Sequence, residues 1–101
     1  MVSFQLKDSE VKYLEFTIKD ADGNYFDLTG STIRFQVMKY GESTLRLNGA
    51  CEITDATNGK CRYLYSGNLP VGSYKAELEI SKGGLKYISP NITLEVISDL
   101  P

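Results

Sequence analysis

A chain of 101 residues is long enough to bury most of its apolar surface in one core, and it is read as a single domain spanning residues 1–101. Seven tyrosines, four phenylalanines and nine scattered glycines favour pleated, half-buried segments joined by tight turns. Thirteen acidic residues against eleven basic ones, with no basic run and no apolar run of bilayer length, exclude nucleic acid and membrane insertion from the expected partners.

In chain order, residues 3–6 alternate Phe4 and Leu6 with polar neighbours and predict a short first strand. Residues 13–19 predict a second, with Leu14, Phe16 and Ile18 inward. Asp20-Ala21-Asp22-Gly23-Asn24 closes a turn, because these side chains bond to their own backbone or accept positive φ. Residues 32–39 predict a third strand with Ile33, Phe35 and Val37 inward, and residues 44–47 a weak strand or edge segment that Asn48-Gly49 interrupts. Residues 51–54 and 60–65 form a hairpin around Asp55-Ala56-Thr57-Asn58-Gly59, in which Asn-Gly supplies positive-φ positions. Cys51 and Ile53 on one arm, and Cys61, Tyr63 and Tyr65 on the other, are the inward set.

Pro70 and Gly72 then bend the chain into the cleanest alternation of the sequence, with Tyr74, Ala76, Leu78 and Ile80 on one face and Lys75, Glu77 and Glu79 on the other. Lys82-Gly83-Gly84 turns the chain back into a return strand over 85–97, where Pro90 marks a sheet edge or a bulge. Residues 98–101 read as a tail. Seven or eight short strands with regular turn signals and no helical period predict an all-β sandwich. A tyrosine opening the strand after the second hairpin arm falls where immunoglobulin-like sandwiches place a tyrosine corner, so the expected fold is an immunoglobulin-like β-sandwich of seven to eight strands. Ala76 stands where an antibody-type domain carries its second cysteine, so that inter-sheet disulfide is absent.

The chain has no histidine, which removes His-based triads, the commonest general acid and base, and the usual zinc sites. No catalytic, cofactor-binding or metal-binding residue is expected. Asp20, Asp22, Asn24 and Asp27 cluster in one loop, but the EF-hand pattern needs Gly and Glu where this chain has Tyr25 and Ser31, so self-bonded turns are the better account. If the hairpin turn centres near Thr57, Cys61 lies opposite Ile53 and Cys51 opposite Tyr63, and the diagonal relation favours two buried free thiols over a disulfide. Tyr13, Tyr25, Tyr40 and Tyr87 fall off the inward sets; cross-strand packing at sheet edges or a binding face would both use them. Asn91-Ile92-Thr93 fits a glycosylation sequon, but the start of the chain lacks secretory-signal sectors, so strand residues are expected there and synthesis in the cytoplasm.

Phe16-Thr17-Ile18, Asp20, Gly23, Asp27-Leu28-Thr29-Gly30 and Ile33-Arg34-Phe35, then Ile53-Thr54-Asp55, Gly59-Lys60, Tyr63 and residues 71–77 resemble, in order and spacing, the N-terminal domain of phage baseplate upper proteins. Cys51 and Cys61 depart from that pattern, which more often carries apolar residues there. The resemblance implies a non-enzymatic immunoglobulin-like module in the virion tail of phages or prophages of Gram-positive bacteria, attaching a receptor-binding apparatus to the baseplate. Its implied partners are other baseplate or tail proteins, with a homo-oligomer as a further option. The rival reading is a carbohydrate-binding or adhesin module that recognises a cell-wall glycan through surface tyrosines such as Tyr25 and Tyr40.

Overall fold

The computed structural model describes residues 2–67 and 69–98. Positions 99–101 of the expected tail and Asn68 of the corner lie outside the described residues, as does the side chain of Asn91 in the sequon. The strands are β1 (Val2–Lys7), β2 (Val11–Thr17), β3 (Thr32–Lys39), β4 (Leu45–Ala50), β5 (Glu52–Asp55), β6 (Lys60–Ser66), β7 (Gly72–Lys82) and β8 (Leu85–Ile97). They form a five-stranded sheet in the order β1-β8-β7-β3-β4 and a three-stranded sheet in the order β2-β6-β5. The protein is all-β, and the two sheets face each other as a sandwich.

The core follows from strand alternation. Leu14, Phe16 and Ile18 in and just after β2, Ile33, Phe35 and Val37 in β3, and Tyr74, Ala76, Leu78 and Ile80 in β7 are all buried, as their period-two spacing predicts. Ile92, Leu94 and Val96 of β8, Cys61 and Tyr65 of β6, Leu6 of β1, Leu69 between β6 and β7, and Leu28 of the long β2–β3 connection complete the described cluster. Aromatic rings bridge the sheets: Phe16 of one and Phe35 of the other lie 5.4 Å apart, and Phe35 meets Tyr63 at 4.9 Å.

Three local features differ from the sequence expectation. The segment at 44–47 continues as β4 through Asn48-Gly49, because neither residue turns the chain. Arg34 of β3 donates to the Asn48 side chain at 2.7 Å and to its carbonyl at 2.6 Å, which fixes the strand in register. Gly49 instead makes room for the Tyr63 ring, which a Cβ would strike. The β5–β6 connection is a 3-10 turn, Ala56–Asn58, in which only Gly59 takes positive φ, at 67°. Asn58 therefore belongs to the helical turn and bonds its side chain to Asp55 at 2.9 Å. Finally, β2 starts two residues before the expected position, at Val11, because Val11 pairs with Ser66 and Lys12 with Tyr65 on β6.

Pro90 answers both readings offered for it. The β7–β8 ladder slips between Ala76 and Leu78, opposite the Pro90 region, and β1 covers β8 only from Ile92 onwards. Pro90 thus sits at a bulge and on an open edge, the places where a missing N–H costs nothing.

Candidate interaction surfaces

The corner between β6 and β7 is the best-defined local device. Leu69 packs into the core, and the Tyr74 hydroxyl, at the mouth of β7, donates to the Pro70 carbonyl at 2.6 Å. Burial pushes the Tyr74 phenol up from its ordinary value. Tyr65, at the end of β6, is also fully buried, and its hydroxyl beside the Leu69 backbone makes no well-formed hydrogen bond among the described residues. The hydrogen bond ties the start of β7 back to the turn before it.

The acidic loop after β2 is organised by its own side chains. Asp20 Oδ1 accepts from the backbone N–H of Asp22 at 2.9 Å and of Asn24 at 3.0 Å. Asp27 Oδ1 accepts from the backbone N–H and hydroxyl of Thr29, which hold its carboxyl below the usual range. These are the self-bonded turns expected of such residues. Among the described residues no group of three or more His, Cys, Asp or Glu is placed to hold a metal ion.

Cys51 and Cys61 are free thiols. Ile53 pairs with Cys61, the predicted register, and the two sulfurs lie within hydrogen-bonding reach. That hydrogen bond, with burial, pushes the Cys51 thiol up. Cys61 is buried and Cys51 half-buried, so only one of the pair reaches full core depth. Cys51 is the residue at which the chain leaves the five-stranded sheet for the other, and its N–H donates to Ile33 at 2.8 Å.

Tyr13, Tyr25, Tyr40 and Tyr87 do not converge on one face, and Tyr87, opposite buried Ile80, lies on the core side of its sheet. Tyr25 bridges Lys19 beside the β2–β3 connection, under the Lys19 ammonium at 5.3 Å, and nearby Phe26 packs edge-on against Tyr87 at 5.1 Å. Tyr40 follows β3 at the opposite end, where its N–H donates to Ser73. Tyr13 lies on the outer face of the three-stranded sheet, paired with Leu64 and stacked under the Arg62 guanidinium at 3.8 Å. Arg62 is in turn held by Glu52. Tyr25 and Tyr40, the residues named for a glycan site, therefore occupy opposite ends of the sandwich and form no common platform.

Two surface features were not anticipated from the sequence. Val11, Tyr13 and Leu64 form an exposed apolar patch with Arg62 beside it, and aromatic, apolar and Arg side chains in one patch are what protein interfaces favour. Knowing that Tyr13 faces Leu64 would have revealed it; the alternation of each strand alone does not. On the outer face of the five-stranded sheet, Met38, Tyr40, Leu45 and Pro90 line a shallow hollow of about 380 Å³ with Gln36, Lys75 and Glu77. The register shift in the β7–β8 ladder, between Ala76 and Leu78, falls beside it. Among the described residues no helix is long and apolar enough to cross a membrane.

Set beside known proteins, the chain finds no match among curated ones. Residues 1–100 match the family described as BppU N-terminal domain. That match covers nearly the whole chain. The chain therefore belongs to the family of N-terminal domains of phage baseplate upper proteins and is a structural component of the virion.

Proposed function

We propose that this domain is a non-enzymatic connector that attaches the receptor-binding apparatus to the baseplate of a phage or prophage tail through protein–protein contacts. The observation that carries the reading is family membership over residues 1–100. The absence of histidine and the self-bonded turns that take up Asp20 and Asp27 agree with it. The partners on this reading are other baseplate or tail proteins, and the protein is made in the bacterial cytoplasm before assembly.

The reading includes an immunoglobulin-like character for the single domain. In that frame β2, β6 and β5 take the places of strands B, E and D, while β3, β4, β7 and β8 take those of C, C′, F and G. Tyr74 then stands at the E–F corner, with its hydroxyl on the Pro70 carbonyl. The Val11, Tyr13, Leu64 and Arg62 patch is the surface we assign to attachment, because it brings exposed apolar and aromatic side chains and an arginine together on the paired β2–β6 ladder.

Deleting the domain from the phage tests this reading. Tails that assemble without their receptor-binding apparatus are the expected product. Complete tails that have lost only adsorption to the cell wall would favour the glycan-binding alternative, for which Tyr40 in its hollow is the remaining candidate.

A further inference from the structure

The open part of β8, residues 85–90, carries an inference that does not depend on the attachment role. The β7–β8 hairpin closes through Gly83 and Gly84, both at positive φ, with Lys82 facing Leu85. In such a two-residue hairpin the pair next to the turn exchanges both backbone hydrogen bonds, and bonded pairs then alternate with unbonded ones. The register continues through Ile80 with Tyr87 and Leu78 with Ser89. Leu85, Tyr87 and Ser89 therefore commit their backbone groups to β7, while the N–H and C=O of Lys86 and Ile88 point out of the sheet edge. Nothing described covers that edge, since β1 begins its pairing at Ile92. Leu85 is 60% exposed, Ile88 44% and Tyr87 39%, so the open edge also bears apolar side chains. Exposed apolar edges invite strand addition.

We propose that this edge pairs antiparallel with the same edge of a second copy of the chain, centred on Tyr87. Length is the first reason. The gap ends where β1 begins, so an added strand must turn away there. An antiparallel second hairpin does so with Gly83 and Gly84, which have no side chains to collide with β1.

Proline sets the register. Centring on Tyr87 places Lys86 opposite Ile88 of the second copy twice, and all the free groups of both residues find partners. Centring on Ile88 would set Lys86 opposite Pro90, whose missing N–H strands a carbonyl. Charge agrees with the first choice. Glu79 faces Ile88 across the hairpin, so each row would read Glu79, Ile88, then Lys86 of the second copy, with opposite charges flanking an apolar centre. Within one chain Lys86 Nζ already lies 3.8 Å from Glu79. A contact over so short an edge buries less than a standard interface, so the dimer forms in a concentration-dependent way.

Sedimentation velocity of the domain up to about 1 mM tests the proposal, with a monomer–dimer equilibrium as the expected result. Ile88→Pro and Lys86→Pro each delete an N–H that the hairpin does not use. Both variants should keep the parent fold by circular dichroism and weaken dimerisation at least about tenfold. Under oxidised glutathione, Tyr87→Cys should link two chains by a disulfide, the two thiols giving their electrons and protons to form two reduced glutathiones, and should do so faster than Ser89→Cys. A monomer throughout, proline variants that dimerise like the parent, or faster linkage at Ser89→Cys would overturn the proposal. Unfolding of both proline variants would overturn it as well, since their N–H groups would then belong to the ladder.

Discussion

Replacing Tyr74 by Phe removes one hydroxyl from the corner and leaves the packing of the ring unchanged. The hydroxyl donates to the Pro70 carbonyl at 2.6 Å, and the ring is fully buried. A buried neutral hydrogen bond contributes about 1 kcal/mol net, and leaving an acceptor unpaired adds to the loss. Pro70 is exposed, so water re-solvates its carbonyl in the variant and holds the loss near the lower figure. The expected cost is therefore about 1 to 1.5 kcal/mol, which for a domain of this size lowers the melting temperature by roughly 4–10 °C. Thermal and urea denaturation followed by circular dichroism measure it, with an unchanged urea m-value showing that the denatured state is not altered. Tyr65→Phe supplies the control. The Tyr65 hydroxyl is buried without a well-formed hydrogen bond, so its loss should be neutral or slightly stabilising. A Tyr74→Phe variant as stable as the parent, or a Tyr65→Phe variant that loses as much, would refute the corner as a hydrogen-bonded device.

Gly59→Ala should cost at least about 2 kcal/mol, because the residue sits at φ 67° and an added Cβ would strike the Ile18 carbonyl; a urea midpoint shift reads it. In alkali, stability should fall as pH rises through about 10, since burial raises the Tyr63, Tyr65 and Tyr74 phenols above their unfolded value and the unfolded chain then releases protons first. In acid the sign reverses: Glu10, Asp27 and Glu42 are held low, mainly by hydrogen bonds from Lys7, Thr29 and Arg46, so stability falls as pH drops through the carboxylate range, and weakly because Asp27 and Glu42 are exposed and Glu10 is only half-buried. A thiol reagent should modify Cys51 slowly and Cys61 only on unfolding, with both reacting in denaturant; zero reactive thiols in denaturant would mean a disulfide instead.

Much of the fold is legible in the sequence because period-two alternation and burial are the same fact seen twice. Ile33, Phe35 and Val37, or Tyr74 to Ile80, have no other face to turn to the core. The Cys61 and Ile53 register was readable because a short turn fixes it. Gly49 was misread for a physical reason: a glycine that makes room for a ring from the other sheet looks in sequence like one that turns the chain. The surface was much less legible. Tyr13 and Leu64 become a patch only once β2 and β6 are paired, and Tyr25 and Tyr40 separate only once the strands give them ends. Pairing between strands distant in sequence decides both, and no local pattern encodes it.

The central claim, that this domain works by holding baseplate proteins together, is tested most directly by mixing it with the reconstituted baseplate core of its own phage and measuring co-sedimentation. The account predicts a stoichiometric complex that Tyr13→Ala with Leu64→Ala abolishes while the free domain stays folded. A domain that sediments alone, yet binds cell-wall glycan in a Tyr40-dependent way, would contradict it.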